Sequence, residues 1–389
     1  MKIEAVDFFY VSMPEVTTDA DGSQDALIVR VEAGGLVGWG ECEASPLPSI
    51  AAFVTPMSHG GCRPVSASVL GQTIDSPQDI ERMAAKLAYD SQDLLQAAHT
   101  WSGIEMALWD VLGKARGEPV YRLLGYREAF PKIPYASQLF GDTPEATLQG
   151  GRKSRADGFR AAKFGWGPFG RSTLKSDEDH LDAAREGLGP DGILLVDAGQ
   201  IFGEDVDAAA ARLPALERNR ATWFEEPFAA GALNAYAELG SRSKVVAVAG
   251  GEAAHNFHMA QHLIDYGRVR YIQIDCGRIG GIGPAKRTAD YAVANGVTYV
   301  NHTFTSHLAL SASLQPLAGL RDHTICEYPV ALKQLAIDLT SNQIVRNAAG
   351  DILLSEAPGL GIEVNEAALE QYKVDVEILV DGKTLFKSK

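Results

Sequence analysis

Apolar and polar residues alternate along residues 2–12 and 26–33 (ALIVRVEA), the period of half-buried strands. Gly34-Gly35 then turns the chain into LVGWGE, which predicts a hairpin or meander. Residues 13–25 and 44–64 are rich in Pro, Gly, Ser and Asp and read as long loops. Loops longer than about 12–15 residues in a compact domain are often functional lids. Residues 78–128 carry a helical pattern, and SGIEMALWDVL sets Ile104, Ala107, Leu108 and Val111 on one stripe. Residues 1–130 are therefore expected to form one α+β domain with two lid loops.

From residue 131 the rhythm changes. Eight apolar runs end in small or charged residues: IPYASQL, FRAAKFG, GILLVDAG, ATWFEEP, KVVAVAGGE, RYIQID, VTYVNH and TICEYP. Helical stretches such as HLDAAREGL, DAAAARLPAL, NFHMAQHLID and GPAKRTADYAVAN separate them. Continuous apolar strands suit a parallel sheet buried on both faces. Eight strands joined by seven crossovers predict an α/β fold, a (β/α)7β modified TIM barrel over residues 131–350. Residues 351–389 return to strand and turn signals (DILLSEAPGLGIEV) and are expected to pack back on the N-terminal domain.

Polar residues at the strand ends recur at nearly constant spacing. Asp197, Glu225, Glu252, Asp275, His302 and Glu327 stand 28, 27, 23, 27 and 25 residues apart, and Lys163 lies 34 before the first. One strand, one helix and two loops take roughly 25–30 residues, so this ladder puts one polar side chain at the same end of each successive strand. In a barrel those ends share one mouth. The longer first step leaves room for WGPFGRSTLKSDED beside Lys163, a segment expected at the mouth.

Three carboxylates in one mouth repel each other unless a cation neutralises them. Asp197, Glu225 and Glu252 suit a hard divalent ion such as Mg2+, and the lack of His or Cys among them disfavours zinc. Glu226 adjoins Glu225, and spacing alone does not choose between them. Neighbouring strands lie only about 5 Å apart, so Asp275 and His302 on adjacent strand ends can pair as an oriented general base. His307, five residues on in NHTFTSH, competes for that role. His302 is favoured because it directly follows the apolar run VTYV. Lys163 across the mouth is a second base or a substrate-holding cation, and a protonated Glu327 could donate to a developing oxyanion.

Composition narrows the partners. A net charge of -15 and pI near 5.1 argue against nucleic acid or an anionic membrane surface, though not against a small anionic substrate. Cys42, Cys62, Cys276 and Cys326 are scattered without a CxxC pair and are expected as free thiols in a reducing cytoplasm. The N-terminal MKIEAVDFFYVSMP lacks the apolar core of a signal peptide. No stretch reaches the about 18 apolar residues of a membrane span.

Taken in order, AAKFG, VDAG, FEEP, GGE, IDCGRIGG, VNH and CEYP resemble the enolase superfamily, in its mandelate racemase / muconate lactonizing enzyme-like subgroup. SGIEMALWDVLGKARGEPVYRLLG resembles the helix closing that family's capping domain, and APGLGIEV its C-terminal signature. The resemblance spans nearly the whole chain. It implies Mg2+ held by Asp197, Glu225 (the first Glu of EEP) and Glu252, a His302–Asp275 dyad, and catalytic Lys163 and Glu327. It also implies a homo-oligomer, from dimer to octamer. Two positions depart from the common pattern: Ala161 stands where many members have the first Lys of KxK, and Gly199 where many have Asn. Arg278 resembles a pattern common in sugar-acid dehydratases.

The chemistry so implied is removal of the proton alpha to a carboxylate, giving an enediolate. Loss of a beta-hydroxyl then dehydrates an aldonate or aldarate to a 2-keto-3-deoxy acid. Reprotonation instead gives a racemase or epimerase, and ring rearrangement a cycloisomerase. Lys163 and His302 are both candidate bases. His59, Arg63, Arg278 and His307 are candidate substrate contacts, with His59 or Arg63 placed at the substrate's distal end.

Overall fold

In the computed structural model, which describes every residue except Ala44 and Lys244, three N-terminal strands form an antiparallel sheet. They are β1 (Ile3–Ser12), β2 (Asp25–Ala33) and β3 (Leu36–Cys42). The helix Ala97–Arg116 lies on this sheet, with fifteen of its residues from Ala97 to Gly113 buried. Its backbone comes close because β3 has no side chain at two positions. A Cβ at Gly38 would stand 2.1 Å from the Ala107 carbonyl, and one at Gly40 2.0 Å from that of Gly103.

Eight parallel strands follow: β4 (Ile133–Leu139), β5 (Ala161–Gly165), β6 (Ile193–Asp197), β7 (Ala221–Glu225), β8 (Ala247–Gly250), β9 (Tyr271–Asp275), β10 (Thr298–His302) and β11 (Ile325–Pro329). Each of the eight apolar runs yields one of them, and the ladder runs β10-β9-β8-β7-β6-β5-β4-β11. No backbone ladder joins β10 to β11. The buried Asn301 side chain closes that gap instead: its Oδ1 accepts from the Glu327 N–H at 2.9 Å and its Nδ2 lies 3.4 Å from the Glu327 carbonyl. A second Nδ2 bond, 3.1 Å to Ser313 Oγ, fixes the amide. The result is a parallel, nearly closed barrel capped by an antiparallel sheet.

Two details differ from the sequence reading. Within 44–64, read as loop, Pro46–Val54 is a helix with Pro at its start and Ser49, Ile50, Ala52 and Phe53 buried; the loop reading at Ala44 lies outside the described residues, as does the first residue of KVVAVAGGE. Pro at the first turn of a helix costs no hydrogen bond, so the Pro-rich composition concealed a helix start. The strand expected over DILLSEAPGLGIEV is reduced to single bridges, Ile352 with Lys132 and Val364 with Thr340. A hairpin follows, β12 (Glu377–Val380) with β13 (Lys383–Lys387).

The tail is tied to the N-terminal region by buried polar contacts. Asp110 accepts from the Trp39 N–H at 3.0 Å and the Leu360 N–H at 2.8 Å, joining sheet, helix and tail. Lys373 bridges to Val11 on β1. A second carboxylate docks the cap on the barrel. Glu105 accepts from the Ile282 and Gly283 N–H groups at 2.7 and 2.8 Å, at the start of the helix that follows β9. Burial pushes its carboxyl up to about 7 even so. Four cysteines are unpaired. Among the described residues no helix is long and apolar enough to cross a membrane.

Candidate active site

Side chains two apart on a strand face the same way, so each inward residue at the mouth has one directly below it. The lower layer is mostly apolar: Tyr135, Ala161, Leu195, Trp223, Val300 and Ile325 pack as one cluster. The upper layer carries the charges. Lys163 stands above Ala161, Glu225 above Trp223 and His302 above Val300. The small Ala161 leaves the floor under Lys163 to Tyr135, whose ring centroid is 5.8 Å from Nζ.

Asp197, Glu225 and Glu252 each offer an oxygen within 4.8 Å of the others. Three carboxylates with no soft donor among them fit a hard divalent cation. Trp223 Nε1 donates to Glu225 Oε2 at 3.0 Å and the Gly199 N–H to Asp197 Oδ1 at 2.8 Å, fixing both carboxylates from outside. Burial pushes the Asp197 carboxyl up to about 6, against the pull of Lys163. Glu226 turns aside: it has φ 38° and accepts from Gln200 Nε2 at 2.7 Å, so the choice left open by FEEP falls to Glu225 as the member of this cluster.

Lys163 Nζ lies 2.8 Å from Glu225, 3.1 Å from Glu327 and 3.5 Å from Asp197. Burial disfavours its charge, but Glu225, Glu327, Tyr135 and Asp197 outweigh that and hold its pKa well above the ordinary range. On the other side His302 and Asp275 are register partners on β10 and β9, with Nδ1 2.7 Å from Oδ2. The Gly277 N–H donates to the other Asp275 oxygen at 2.6 Å. The second imidazole nitrogen, Nε2, points to Glu252 Oε2 at 3.0 Å. Burial opposes protonation of His302, yet Glu252 and Glu327 prevail and raise its pKa. Glu327 is clamped by the Ser137 hydroxyl at 2.7 Å and the Thr303 N–H at 2.8 Å.

The structure thus gathers Lys163, Asp197, Glu225, Glu252, Asp275, Arg278, His302 and Glu327. It does not bring His59, Arg63 and His307 to them. His59 and Arg63 are exposed on the cap, 3.2 Å from Asp93 and 3.6 Å from Asp90. His307 begins the helix His307–Leu314, where Nδ1 accepts from the Ile344 N–H at 3.2 Å and burial lowers its pKa to about 4.

Three residues at the mouth escaped the sequence reading. Glu43, just past β3, is 6% exposed and 3.1 Å from Arg278. Asn301 closes the barrel beside Glu327. Trp166, in the insertion after Lys163, has φ 54° and explains Gly199. A Cβ at 199 would stand 2.6 Å from two indole carbons, so the indole occupies the place that a side chain at 199 would need. The lid loop 13–25 reaches the same region: Lys333 N donates to Ser23 Oγ at 2.9 Å, and a Cβ on Gly22 would lie 3.1 Å from the Phe304 carbonyl.

Comparison with known proteins agrees with this fold. Residues 10–125 match the mandelate racemase / muconate lactonizing enzyme N-terminal domain, and residues 149–368 the enolase C-terminal domain-like family. A crystal structure described as a predicted mandelate racemase from Rhodobacter sphaeroides is 65% identical, with TM-score 0.96, over 100% of this chain and 99% of that one. D-galactarolactone cycloisomerase of Agrobacterium fabrum is 29% identical over 90% of this chain and 91% of its own. D-galactonate dehydratase of Pectobacterium atrosepticum is 28% identical over 87% and 89%. The chain belongs to the mandelate racemase / muconate lactonizing enzyme family of the enolase superfamily.

Proposed function

We propose that this chain is an Mg2+-dependent hydro-lyase that converts an aldonate or aldarate to a 2-keto-3-deoxy acid. One observation carries the reading: a His302–Asp275 dyad and Lys163 flank the Asp197, Glu225 and Glu252 carboxylates from opposite sides. Those three carboxylates would hold the Mg2+. The cation would supply positive charge against the negative charge that develops on the substrate carboxylate.

The chain's own residues do the rest. Asp275 orients His302 through Nδ1 and leaves Nε2 for proton transfer. Lys163 and His302 flank the C2–C3 unit; a cation on Asp197, Glu225 and Glu252 would offset the carboxylates that hold both groups charged, so that one can remove the C2 proton while the other protonates the departing hydroxyl. The C2–H electrons form the C1–C2 double bond of the enediolate. As the carboxylate re-forms, the C1=C2 electron pair becomes the C2=C3 bond and the C3–O bond breaks; hydroxide leaves as water with the donated proton, and the C2 enol takes a proton from solvent at C3 to become the ketone. Glu327, held by Ser137 and Thr303, lies 3.1 Å from Lys163 and orients its ammonium beside the developing oxyanion charge.

Dehydration is favoured by the polar lid over the mouth, which suits a polyhydroxylated substrate, and by the D-galactonate dehydratase relative. The second reading, a cycloisomerase or a racemase/epimerase, draws on the D-galactarolactone cycloisomerase relative and uses the same proton abstraction. Incubation with Mg2+ and a panel of acid sugars, read by a keto-acid assay, tests the proposal. No keto acid across the panel would overturn it, and solvent deuterium at C2 without keto acid would select the alternative.

A further inference from the structure

Arg278 is shared between two domains. Its NH1 lies 3.1 Å from Glu252 Oε1 in the barrel mouth, and its NH2 lies 3.1 Å from Glu43 Oε1 at the end of β3 in the cap. Glu252 meets His302 through its other oxygen at 3.0 Å. A chain of charges therefore runs Glu43–Arg278–Glu252–His302–Asp275 across the domain seam. The approach is tight. A Cβ at Gly277 would stand 2.6 Å from Glu43 Cβ and 2.8 Å from Glu43 N, so the loop after β9 accepts the cap only because residue 277 has no side chain. The contact joins residues 235 apart in sequence.

We propose that Glu43 is a positioning residue of the cation site: by holding half of the Arg278 guanidinium it keeps that group from claiming both oxygens of Glu252. The inference rests on Glu252 being a cation ligand. Its physical basis is the geometry of the guanidinium, which forms two parallel bonds to one carboxylate when nothing else engages it. With Glu43 present, one nitrogen serves the cap and one serves Glu252 Oε1, so Oε2, the oxygen that also meets His302 Nε2 at 3.0 Å, carries no guanidinium bond and can turn to the cation. Without it, the fork closes on Glu252 and competes with the cation. Seating of the cap and loading of the metal site are then coupled through the partly buried Arg278 guanidinium.

Mg2+ binding to the purified full chain, measured by titration calorimetry without substrate, tests this. Glu43→Ala should weaken Mg2+ binding about tenfold, in the range seen when residues that orient metal ligands are removed. Glu43→Gln preserves the shape and folds if the alanine variant does not; it should shift binding in the same direction by less. In an Arg278→Met background, Glu43→Ala should change Mg2+ affinity less than about twofold, since the competitor is gone; a double-mutant cycle of this kind isolates the coupling. Unchanged affinity in both Glu43 variants would overturn the inference. So would an undiminished effect in the Arg278→Met background, which would mean that Glu43 acts on the site only through its own charge. A wild-type chain that binds no Mg2+ would instead remove the cation-site reading on which the inference stands.

Discussion

Asn301→Ala is the substitution for which the structure makes the most definite demand. The side chain is fully buried, and it stands in for the missing ladder between β10 and β11. Its removal orphans the Glu327 N–H, whose acceptor at 2.9 Å is the Asn301 amide. A buried donor left without a partner costs about 1–3 kcal/mol, and an ordinary hydrogen bond lost about 1 kcal/mol. The 3.4 Å bond to the Glu327 carbonyl is long, and Ser313 keeps its own 2.9 Å bond to the Leu310 carbonyl, so these two losses are small. The cost is therefore about 1–3 kcal/mol, that of the orphaned donor. Equilibrium urea unfolding should show this loss. Because Glu327 is the residue released, kcat for the reaction identified should fall about tenfold or more, since a shift of about 1 Å can cost as much as 100-fold. A stability change under about 0.5 kcal/mol, the range of ordinary surface substitutions, with kcat unchanged would refute the claim that this amide closes the barrel.

Three further outcomes are expected. Gly199→Asn drives a side chain into the Trp166 indole. It should cost about 1–3 kcal/mol, as overpacking does, and clearly less in a Trp166→Ala background; an equal cost in both would refute the steric account. His307 has a folded pKa of about 4 against about 6.5 when unfolded, so the unfolded chain binds the extra proton between these values. Stability should therefore fall as pH drops from about 6.5 to about 4, by on the order of 3 kcal/mol from this group, and His307→Asn should flatten that slope in urea midpoints. His302→Asn and Lys163→Met should each suppress turnover at least about 100-fold while leaving far-UV circular dichroism unchanged; wild-type rates in either would remove that residue from the chemistry.

The barrel and its charged layer were legible because a parallel barrel writes its mouth into the sequence periodically. Each repeat ends one apolar run, so Asp197, Glu225, Glu252, Asp275, His302 and Glu327 announce themselves by spacing. What was hidden depends on contacts without a period. Glu43 meets Arg278 across two domains, and nothing in ECEAS distinguishes it from a solvated acid. Asn301 precedes His302, and strand alternation gives no hint that its side chain bridges to β11. Gly199 reads as a missing polar group until Trp166 is seen lying on it. Pro46 and Pro48 looked like loop punctuation, although Pro also begins helices. His59 and Arg63 stood out by loop composition alone, which does not show that Asp93, in the turn after the helix Pro77–Asp90, and Asp90, at that helix's end, pair with them.

The most direct test of the central claim is turnover in deuterium oxide with Mg2+ and a panel of aldonates and aldarates, followed by NMR and mass spectrometry. Removal of the C2 proton and loss of the C3 hydroxyl produce an enol that collects its new hydrogen from solvent. The account predicts a 2-keto-3-deoxy acid carrying deuterium at C3 from at least one acid sugar. A protein that binds Mg2+ yet forms no keto acid and exchanges no C2 proton in any of them would contradict it.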